Sequence, residues 1–192
     1  MGLGSLAAYT FSRFRFKGDK LLFLFCIAVR LVPPIALLVP FYLLLTSLGL
    51  YDNLLSLILC YTYLNMPFAI WLMWGFFKAI PREIDEAAKI DGCSDFEAFW
   101  RIILPVAKTS VAATCMFVFL MAWSDFQFAL VLTSTTASKT FTMGICDFFA
   151  DVYWDWGSLT AAGVMGMIPA IIFVIFFQKY LISGFTMGGV KE

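Results

Sequence analysis

Few residues in this 192-residue sequence could do chemistry. Asp125 is the only carboxylate inside a long apolar run, Arg30 is a cation inside another, and histidine is absent. An ionisable residue within a membrane is energetically costly unless it is paired with another group or hydrated. Asp125 and Arg30 are therefore candidates for a proton relay or a transport pathway. A role in helix packing is the alternative. Asn65, Ser124 and Gln127 are polar candidates for the transport pathway or for helix packing.

Enzymatic chemistry is not indicated. Without histidine, the commonest general base and metal ligand are missing, and no serine or cysteine has a partner that could activate it. An intramembrane aspartyl protease needs two facing carboxylates, and the spans offer only Asp125. The five cysteines are scattered and form no Cys-x-x-Cys pair, which favours packing as small apolar residues. We therefore expect no catalytic residue, no metal site and no cofactor.

The composition places the chain in a lipid bilayer. It is 62% hydrophobic and 14% charged, whereas soluble domains are roughly half apolar and about a quarter charged. The zero net charge provides no basic field for nucleic acid, so we expect no such partner. Apolar runs near 21–45, 54–77, 109–132 and 159–182 each reach the ~20 residues of a spanning helix. The fold class predicted is all-α, a polytopic transmembrane helical bundle.

Proline residues interrupt the first two apolar runs. Pro33, Pro34 and Pro40 lie in the first run and Pro67 lies in the second. Proline in a spanning helix leaves backbone groups that neighbours or a water-filled cavity must satisfy. We therefore expect these helices to be kinked, either for packing or because a transport pathway must open and close.

The distribution of lysine and arginine predicts which loops face the cytoplasm. Four spans leave 12–20, 78–108 and 183–192 on one side of the membrane, and nearly all cations lie on that side. The opposite loops hold Lys139 as their only cation. The positive-inside rule therefore places the segment 81–105 in the cytoplasm.

The segment 81–105 is the only long charged stretch between two apolar runs. Pro81 suits the start of a helix, and Gly92 is typical of a helix end. Ser94 and Glu97 have the spacing of a capping box, which predicts a second helix. In that helix four apolar residues recur at i, i+3, i+4 and i+7 and predict one apolar face: Phe96, Phe99, Trp100 and Ile103.

Two ion pairs are expected on the surface of these helices. Asp85 with Lys89, and Glu97 with Arg101, stand at i,i+4 with the acid first, an arrangement worth ~0.3 kcal/mol per pair. Together, the features of 81–105 predict a helix, a glycine turn and an amphipathic helix at one membrane face. Such a shape suits a soluble binding partner.

The motif Glu86-Ala87-Ala88, followed by Asp91-Gly92 and then Leu104-Pro105, resembles the EAA loop of permease subunits of binding-protein-dependent ABC importers. The longer sequence from residue 80 to residue 92 is most similar to the carbohydrate-importing, maltose-type branch. At 124–125 the chain differs from the Trp-Asn-Glu-like sequence usual in that family. The resemblance runs over the whole chain to its last residue.

The resemblance implies a function and a set of partners. The chain would be a permease subunit that moves a sugar or oligosaccharide across a bacterial or archaeal cytoplasmic membrane, without chemistry of its own. An ABC ATPase dimer, a second permease subunit, an extracytoplasmic substrate-binding protein and membrane lipid are implied as partners. The residues implied to couple the permease to the ATPase are Glu86, Ala87, Ala88, Asp91, Gly92, Phe96, Phe99, Leu104 and Pro105.

The two ends of the chain carry further expectations from the resemblance. Residues 1–11 resemble the end of a second transmembrane helix whose beginning is missing, so 1–192 would be a partial importer transmembrane domain; a naturally short four-helix protein is the alternative. Residues 183–192 resemble a glycine-rich cytoplasmic tail. The tail residues implied to contact the ATPase are Gly188, Gly189, Val190 and Lys191.

Two rival functions remain at this stage. A proton-coupled secondary transporter would use Asp125 and Arg30 as its relay, and its uptake would collapse with an uncoupler. A non-transporting membrane scaffold would be stably expressed but would show no substrate-stimulated ATPase activity in its assembled complex. Because the sequence has no Gly-x-x-x-x-Gly-Lys-Ser/Thr phosphate loop, an importer would need its ATPase on another chain.

Overall fold

The computed structural model describes residues 1–148 and 155–189, and side chains only as far as residue 180. Every regular element in these ranges is helical. The α-helices are α1 Gly2–Arg13, α2 Asp19–Ala28, α3 Pro34–Ser47, α4 Leu54–Ala79, α5 Arg82–Ile90, α6 Asp95–Ala98, α7 Leu104–Val106, α8 Lys108–Trp123, α9 Gln127–Leu132, α10 Phe141–Ile145 and α11 Trp156–Gly189. A π-helical turn, Phe99–Ile103, joins α6 to α7, and two short 3₁₀ turns follow α2 and α10.

Two of the predicted spans are single helices. Among the described residues, α4 and the part of α11 up to Tyr180 are long and apolar enough to cross a membrane. Pro67 lies inside α4, and Pro169 lies inside α11. The helix α11 continues to Gly189, so the structure does not end it near residue 182 as the sequence had suggested.

The other two predicted spans are broken. The run 21–45 forms two helices, Asp19–Leu31 and Pro34–Ser47, whose axes differ by 94°. Pro34 is at the start of the second helix, where its missing N–H leaves no hydrogen bond unmade, and the residue before a proline avoids the helical region. The run 109–132 is divided by residues 124–126 into α8 and α9. The first run is therefore interrupted where a kink was expected, whereas the second run, which contains Pro67, remains the single helix α4.

The chain divides into two compact units, which we describe separately. The first comprises 1–30, 66–118 and 176–192. Its core joins the end of α1, the second half of α4 and the π-helical turn. The buried residues of this core are Ala8, Tyr9, Ile70, Met73, Phe77, Ile80, Phe99, Ile103 and Ala107. Aromatic rings meet edge-on at its centre, with Tyr9 5.9 Å from Phe77 between ring centroids.

The second unit comprises 31–65 and 119–175. Its core lies between α3, the first half of α4 and α9. The buried residues there are Leu45, Leu57, Cys60, Phe128, Ala129 and Leu132. Phe41 of α3 packs edge-on against the ring of Phe128, 6.0 Å between centroids. The short helix α9 is thus held by its buried face, although it has only six residues.

Candidate functional site

The charged segment between α4 and α8 folds as a helical elbow, which we define as residues 81–106. Pro81 is the N-cap residue of α5, one position before the predicted place. At the other end, Gly92 has φ +86°, and the Cys93 N–H donates to the Ala88 carbonyl at 3.0 Å. Glycine adopts this left-handed conformation without the steric penalty of a Cβ. The prediction that Gly92 ends the first helix is confirmed.

A capping box starts the second arm of the elbow. The Glu97 N–H donates to Ser94 Oγ at 3.3 Å, and the Ser94 N–H donates to Glu97 Oε2 at 3.0 Å. The predicted capping box is therefore confirmed. The hydrogen bonds from Ser94 hold the pKa of the Glu97 carboxyl below its usual range. Arg101 lies 3.7 Å from Glu97, so the predicted i,i+4 pair is also present.

The pairing predicted for Asp85 is wrong. Its carboxylate lies 2.9 Å from Arg13 Nε and accepts a 2.6 Å hydrogen bond from the Tyr9 hydroxyl, so it joins α5 to α1. The side chains of Arg13 and Asp85 are only 7% and 12% exposed. Lys89 instead lies 2.7 Å from Asp95, across the glycine turn. Spacing along one helix could not reveal this, because both new partners lie on other elements.

Arg13 also ties α1 to the residue just before the elbow. Its guanidinium donates a 3.0 Å hydrogen bond to the Ile80 carbonyl, at the junction of α4 and α5. Arg82 donates in turn to the Ser12 carbonyl at 3.5 Å. Hydrogen bonds thus run in both directions between the end of α1 and the first arm of the elbow. The sequence offered Arg13 only as one of several cations near the membrane.

The apolar residues of the second arm do not form one face. Phe99 and Ile103 are fully buried in the core of the first unit, whereas Phe96 is 62% exposed and Trp100 44%. The π-helical turn explains the difference, because its i→i+5 hydrogen bonds break the 3.6-residue period on which the prediction rested. Ile90, at the end of α5, is 86% exposed. Four large apolar side chains of the elbow are therefore exposed: Ile90, Phe96, Trp100 and Val106.

The remaining candidate coupling residues differ in exposure. Glu86, Ala87, Asp91 and Gly92 are exposed, while Ala88 is buried against the core. Leu104 is half-buried and Pro105 is exposed in the short helix α7. Pro105, which the sequence would suggest as the place where the chain turns, lies two residues before the actual turn. The chain turns at Ala107, where Asp95–Val106 meets Lys108–Trp123 at 79°.

Asp125 lies in the break between α8 and α9. Its carboxylate accepts a 2.9 Å hydrogen bond from the Tyr61 hydroxyl and a 3.2 Å bond from the Phe128 N–H. A second backbone donor, the Ala129 N–H, lies at 3.4 Å. A carboxylate that accepts hydrogen bonds from the first N–H groups of a helix caps that helix. The positive end of the helix dipole also stabilises its negative charge. These contacts match the packing alternative.

The other polar candidates also make local contacts. Arg30 lies over the ring of Phe68, 4.9 Å from its centroid. Asn65 donates to the Tyr61 carbonyl one turn earlier at 2.9 Å, and Ser124 donates to the Leu120 carbonyl at 2.8 Å. Gln127 begins α9 and is exposed. The hydrogen bonds of Asn65 and Ser124 are thus made to carbonyls one turn earlier, in α4 and α8 respectively.

A second organised site, which the sequence reasoning missed, is centred on Asp52. Its carboxylate accepts hydrogen bonds from the Ser134 N–H at 2.7 Å, the Thr135 N–H at 3.0 Å and the Ser138 hydroxyl. These bonds hold the pKa of Asp52 far below its usual range, the largest contribution coming from Ser138. Asp52 also has a positive φ of 56°. Its place in an Asp52-Asn53 pair between two long apolar runs was the available signal.

Asp147 and Asp155, on either side of the undescribed residues 149–154, have separate roles. Asp147 accepts hydrogen bonds from the Lys139 ammonium at 2.7 and 3.0 Å. Asp155 precedes α11 and accepts from the Ser158 N–H at 3.1 Å, so it caps that helix. At the other end of the chain, residues 188 and 189 are helical, whereas the tail candidates Val190 and Lys191 lie outside the described residues.

Helices able to span a membrane, with a charged and partly exposed helical elbow between α4 and α8, are the features of an integral membrane protein. A model of the family described as "Binding-protein-dependent transport system inner membrane component" matches residues 1–186. The chain belongs to this family, which confirms the resemblance found in the sequence. Its members are inner-membrane translocation components of ABC importers rather than enzymes.

Named relatives align with almost the whole chain. The trehalose/maltose transport system permease protein MalG of Thermococcus litoralis is 35% identical over 100% of this chain and 69% of its own length. The trehalose transport system permease protein SugB of Mycobacterium tuberculosis is 35% identical over 98% of this chain and 70% of its own. The inner membrane ABC transporter permease protein YcjP of Escherichia coli is 33% identical over 98% and 68%.

A solved structure has a similar fold. It is a crystal structure of a bacterial ABC transporter involved in the import of the acidic polysaccharide alginate. One of its chains aligns with a TM-score of 0.71 and 25% identity, over 93% of this chain and 69% of that chain. The all-α prediction is thereby confirmed.

Proposed function

We propose that this chain is a transmembrane permease subunit of an ABC importer that takes up a sugar or oligosaccharide. The relatives named for trehalose and maltose transport support the substrate class. The observation that carries the mechanism is the elbow: a glycine turn with φ +86°, an exposed apolar surface, and a buried ion pair behind it. Family membership favours this function over a proton-coupled carrier or a membrane scaffold.

The elbow residues divide into two proposed roles. Glu86, Ala87, Asp91, Gly92 and Phe96 are exposed and would contact an ATPase subunit. The buried members of the candidate set, Ala88 and Phe99, would instead fix the orientation of the two arms. Leu104 and Pro105 would carry the movement to the bend at Ala107, and from there to α8.

The proposed mechanism needs no chemistry on this chain. Closure of two ATPase subunits pushes on the elbow, and packed helices convert that movement into alternating access across the membrane. The exposed Ile90, Phe96 and Trp100 suit a protein partner, because exposed apolar patches commonly mark interaction sites. Residues 188–191 are a further proposed contact with the ATPase.

The other proposed partners follow from the family. A second permease subunit completes the translocation unit, and an extracytoplasmic substrate-binding protein delivers the solute to the outer loops. Asp52 would help to present those loops, since it joins two of them by hydrogen bonds. For Asp125 and Asn65 we propose a role in helix packing, supported by their contacts with Tyr61 and its backbone.

The experiment is to replace Gly92 with valine in the assembled transporter. A β-branched residue in the left-handed region costs about 1–2 kcal/mol, although space is available, because no atom lies within 4 Å of an added Cβ. We expect less ATPase to co-purify with the tagged permease, and less ATP-driven uptake of trehalose or maltose.

Gly18→Val is the matched control. Gly18 has φ +89° and equally open surroundings, but it lies in the turn between α1 and α2. It carries the same backbone strain away from the elbow and should retain the ATPase. Full assembly and uptake in Gly92→Val, or equal loss in both variants, would contradict docking through the elbow.

A further inference from the structure

A cavity of about 720 Å³ opens in the first unit, beside the elbow. It is formed by the end of α1, the turn into α2, the end of α4 and the start of α5. Five cationic side chains and two carboxylates line it: Arg13, Arg15, Lys20, Lys78, Arg82, Asp19 and Glu83. The cations come from two stretches of sequence that only the fold brings together.

The charges of the cavity are only partly balanced. Arg13 is paired with Asp85, and Arg15 lies 3.4 Å from Asp19. Within the described part of the chain, Lys20, Lys78 and Arg82 make no ion pair with a carboxylate. The lining of the cavity therefore has three cations without an ion pair and one further carboxylate, that of Glu83. An anionic group would be attracted to such a surface.

One wall of the cavity is aromatic. The ring of Phe23 lies 5.4 Å from that of Phe11 and 4.8 Å from that of Trp74, measured between centroids. The ammonium of Lys78 lies 4.9 Å from the centroid of the Trp74 ring, which holds the charge at the edge of this wall. An amphiphile, with an anionic head and an apolar tail, matches the two surfaces better than a free anion does.

The cavity also lies where a lipid headgroup would be. The candidate membrane span α4 ends at Ala79, and both Lys78 and Ala79 line the cavity. Lysine and tryptophan at a span terminus are typical of the membrane interface. Basic pockets between transmembrane helices on the cytoplasmic side are suited to anionic lipid headgroups.

We propose that this cavity binds the headgroup of an anionic phospholipid, with Lys20, Lys78 and Arg82 around the phosphate and the aromatic wall against an acyl chain. The lipid would fill the space between the α1–α2 turn and the first arm of the elbow. The proposal does not depend on the solute carried, and its cytoplasmic placement rests on the topology of the proposed function. Lipid binding and ATPase docking are measured separately, so either can fail alone.

The test uses the permease assembled with its ATPase and partner permease in mild detergent. Native mass spectrometry would follow titration with phosphatidylglycerol, with phosphatidylcholine, and with glycerophosphoglycerol, the same headgroup without acyl chains. For wild type we expect phosphatidylglycerol to bind at least tenfold more tightly than either of the others. The same spectra report whether the complex remains assembled.

The test variant is Lys20→Gln with Lys78→Gln, and the control is Lys17→Gln with Lys108→Gln. Both pairs remove two exposed cations from the predicted cytoplasmic side, but the control pair does not line the cavity. Each lysine near an anionic lipid contributes about fivefold in affinity, so the test variant should lose about 25-fold. The control should bind as wild type does.

Three outcomes would overturn the proposal. Equal phosphatidylglycerol affinity in both double variants would show that the cavity is not the site. Equal affinity of wild type for phosphatidylcholine would remove the role of headgroup charge. Equal affinity for glycerophosphoglycerol would make the cavity a site for a free anion and not for a lipid.

Discussion

Replacing Asp85 with asparagine is expected to loosen the elbow from α1. The change keeps the size of the side chain and removes its charge, which leaves the Arg13 guanidinium without its counterion at 2.9 Å. The Tyr9 hydroxyl can still donate to the amide oxygen, so the loss is mainly that of the ion pair. The substitution therefore removes one interaction between α1 and α5, the ion pair of Arg13 with Asp85.

The magnitude follows from the distance and the burial. Two unit charges 2.9 Å apart attract by about 6 kcal/mol at an effective dielectric constant of about 20. Breaking a buried pair typically costs about 3–5 kcal/mol, because the remaining charge stays desolvated. The side chains of Arg13 and Asp85 nevertheless keep a small exposed fraction, 7% and 12%. We therefore expect a loss at the lower end of this range, about 3 kcal/mol. The population of molecules in which α5 is detached from α1 should then be roughly 150-fold larger.

Hydrogen exchange of the assembled transporter would measure this population. Protection of the α5 amides should fall by about two orders of magnitude in Asp85→Asn. The matched control is Asp95→Asn, which breaks an ion pair between side chains that are about half exposed, where solvent screening leaves little stabilisation to lose. Unchanged protection in Asp85→Asn, or an equal loss in the control, would refute the reasoning.

A compensating variant strengthens the test. Replacing a buried ion pair by apolar residues of similar volume is often neutral or stabilising. Arg13→Met with Asp85→Leu should therefore recover most of the protection, provided that Tyr9→Phe removes the hydroxyl left without its acceptor. A triple variant less protected than Asp85→Asn would show that the hydrogen bond from Arg13 to Ile80 dominates instead.

Three further predictions concern other contacts. Ser94→Ala should destabilise the second arm of the elbow by about 1 kcal/mol, seen as faster amide exchange at its first turn. Asp52→Ala should expose the backbone amides of the loop after α9 to exchange. Because the folded-state pKa of Asp52 is depressed, its stabilisation should be complete above pH ~4, the unfolded value, and be lost as the pH falls further. Gly166→Ala should lower the thermal stability of the complex by about 1–3 kcal/mol, because its Cβ would overlap the ring of Phe141.

Each of these has an outcome that would contradict it. If the amides at the first turn of the second arm exchange at the same rate in Ser94→Ala as in wild type, the capping box does not stabilise that arm. For Asp52, loop protection that falls between pH 7 and 5 would indicate another titrating group. Gly163→Ala is the control for Gly166→Ala, since no atom lies within 4 Å of its added Cβ. Equal stability of the two alanine variants would contradict the overlap.

The sequence predicted the local features of the elbow well. Gly92 and the Ser94–Glu97 capping box act between residues a few positions apart, and their geometry follows from the residue types. The all-α class followed from the long apolar runs. Local chemistry and composition were therefore sufficient for these conclusions.

Features that depend on distant partners could not be predicted. Asp85 has a suitable partner four residues away in Lys89, but its actual partners, Arg13 and Tyr9, lie more than 70 residues earlier. Burial of Phe99 likewise depends on the π-helical turn, which has no sequence signature of its own. The sequence also marked prolines as kinks, yet it did not predict that the run 21–45 forms two separate helices.

The position of the buried ion pair has a consequence for coupling. The elbow is held to α1 by Asp85 and by Arg13, and to α4 by the burial of Phe99 and Ile103. A force applied at the exposed Ile90 or Phe96 would have to break these contacts before it could move the elbow alone. Since the ion pair by itself contributes about 3 kcal/mol, moving α1, the end of α4 and the elbow together is the easier response. The buried contacts of the elbow, which lie outside its proposed ATPase-contacting residues, would then determine how much of the applied movement reaches the membrane helices.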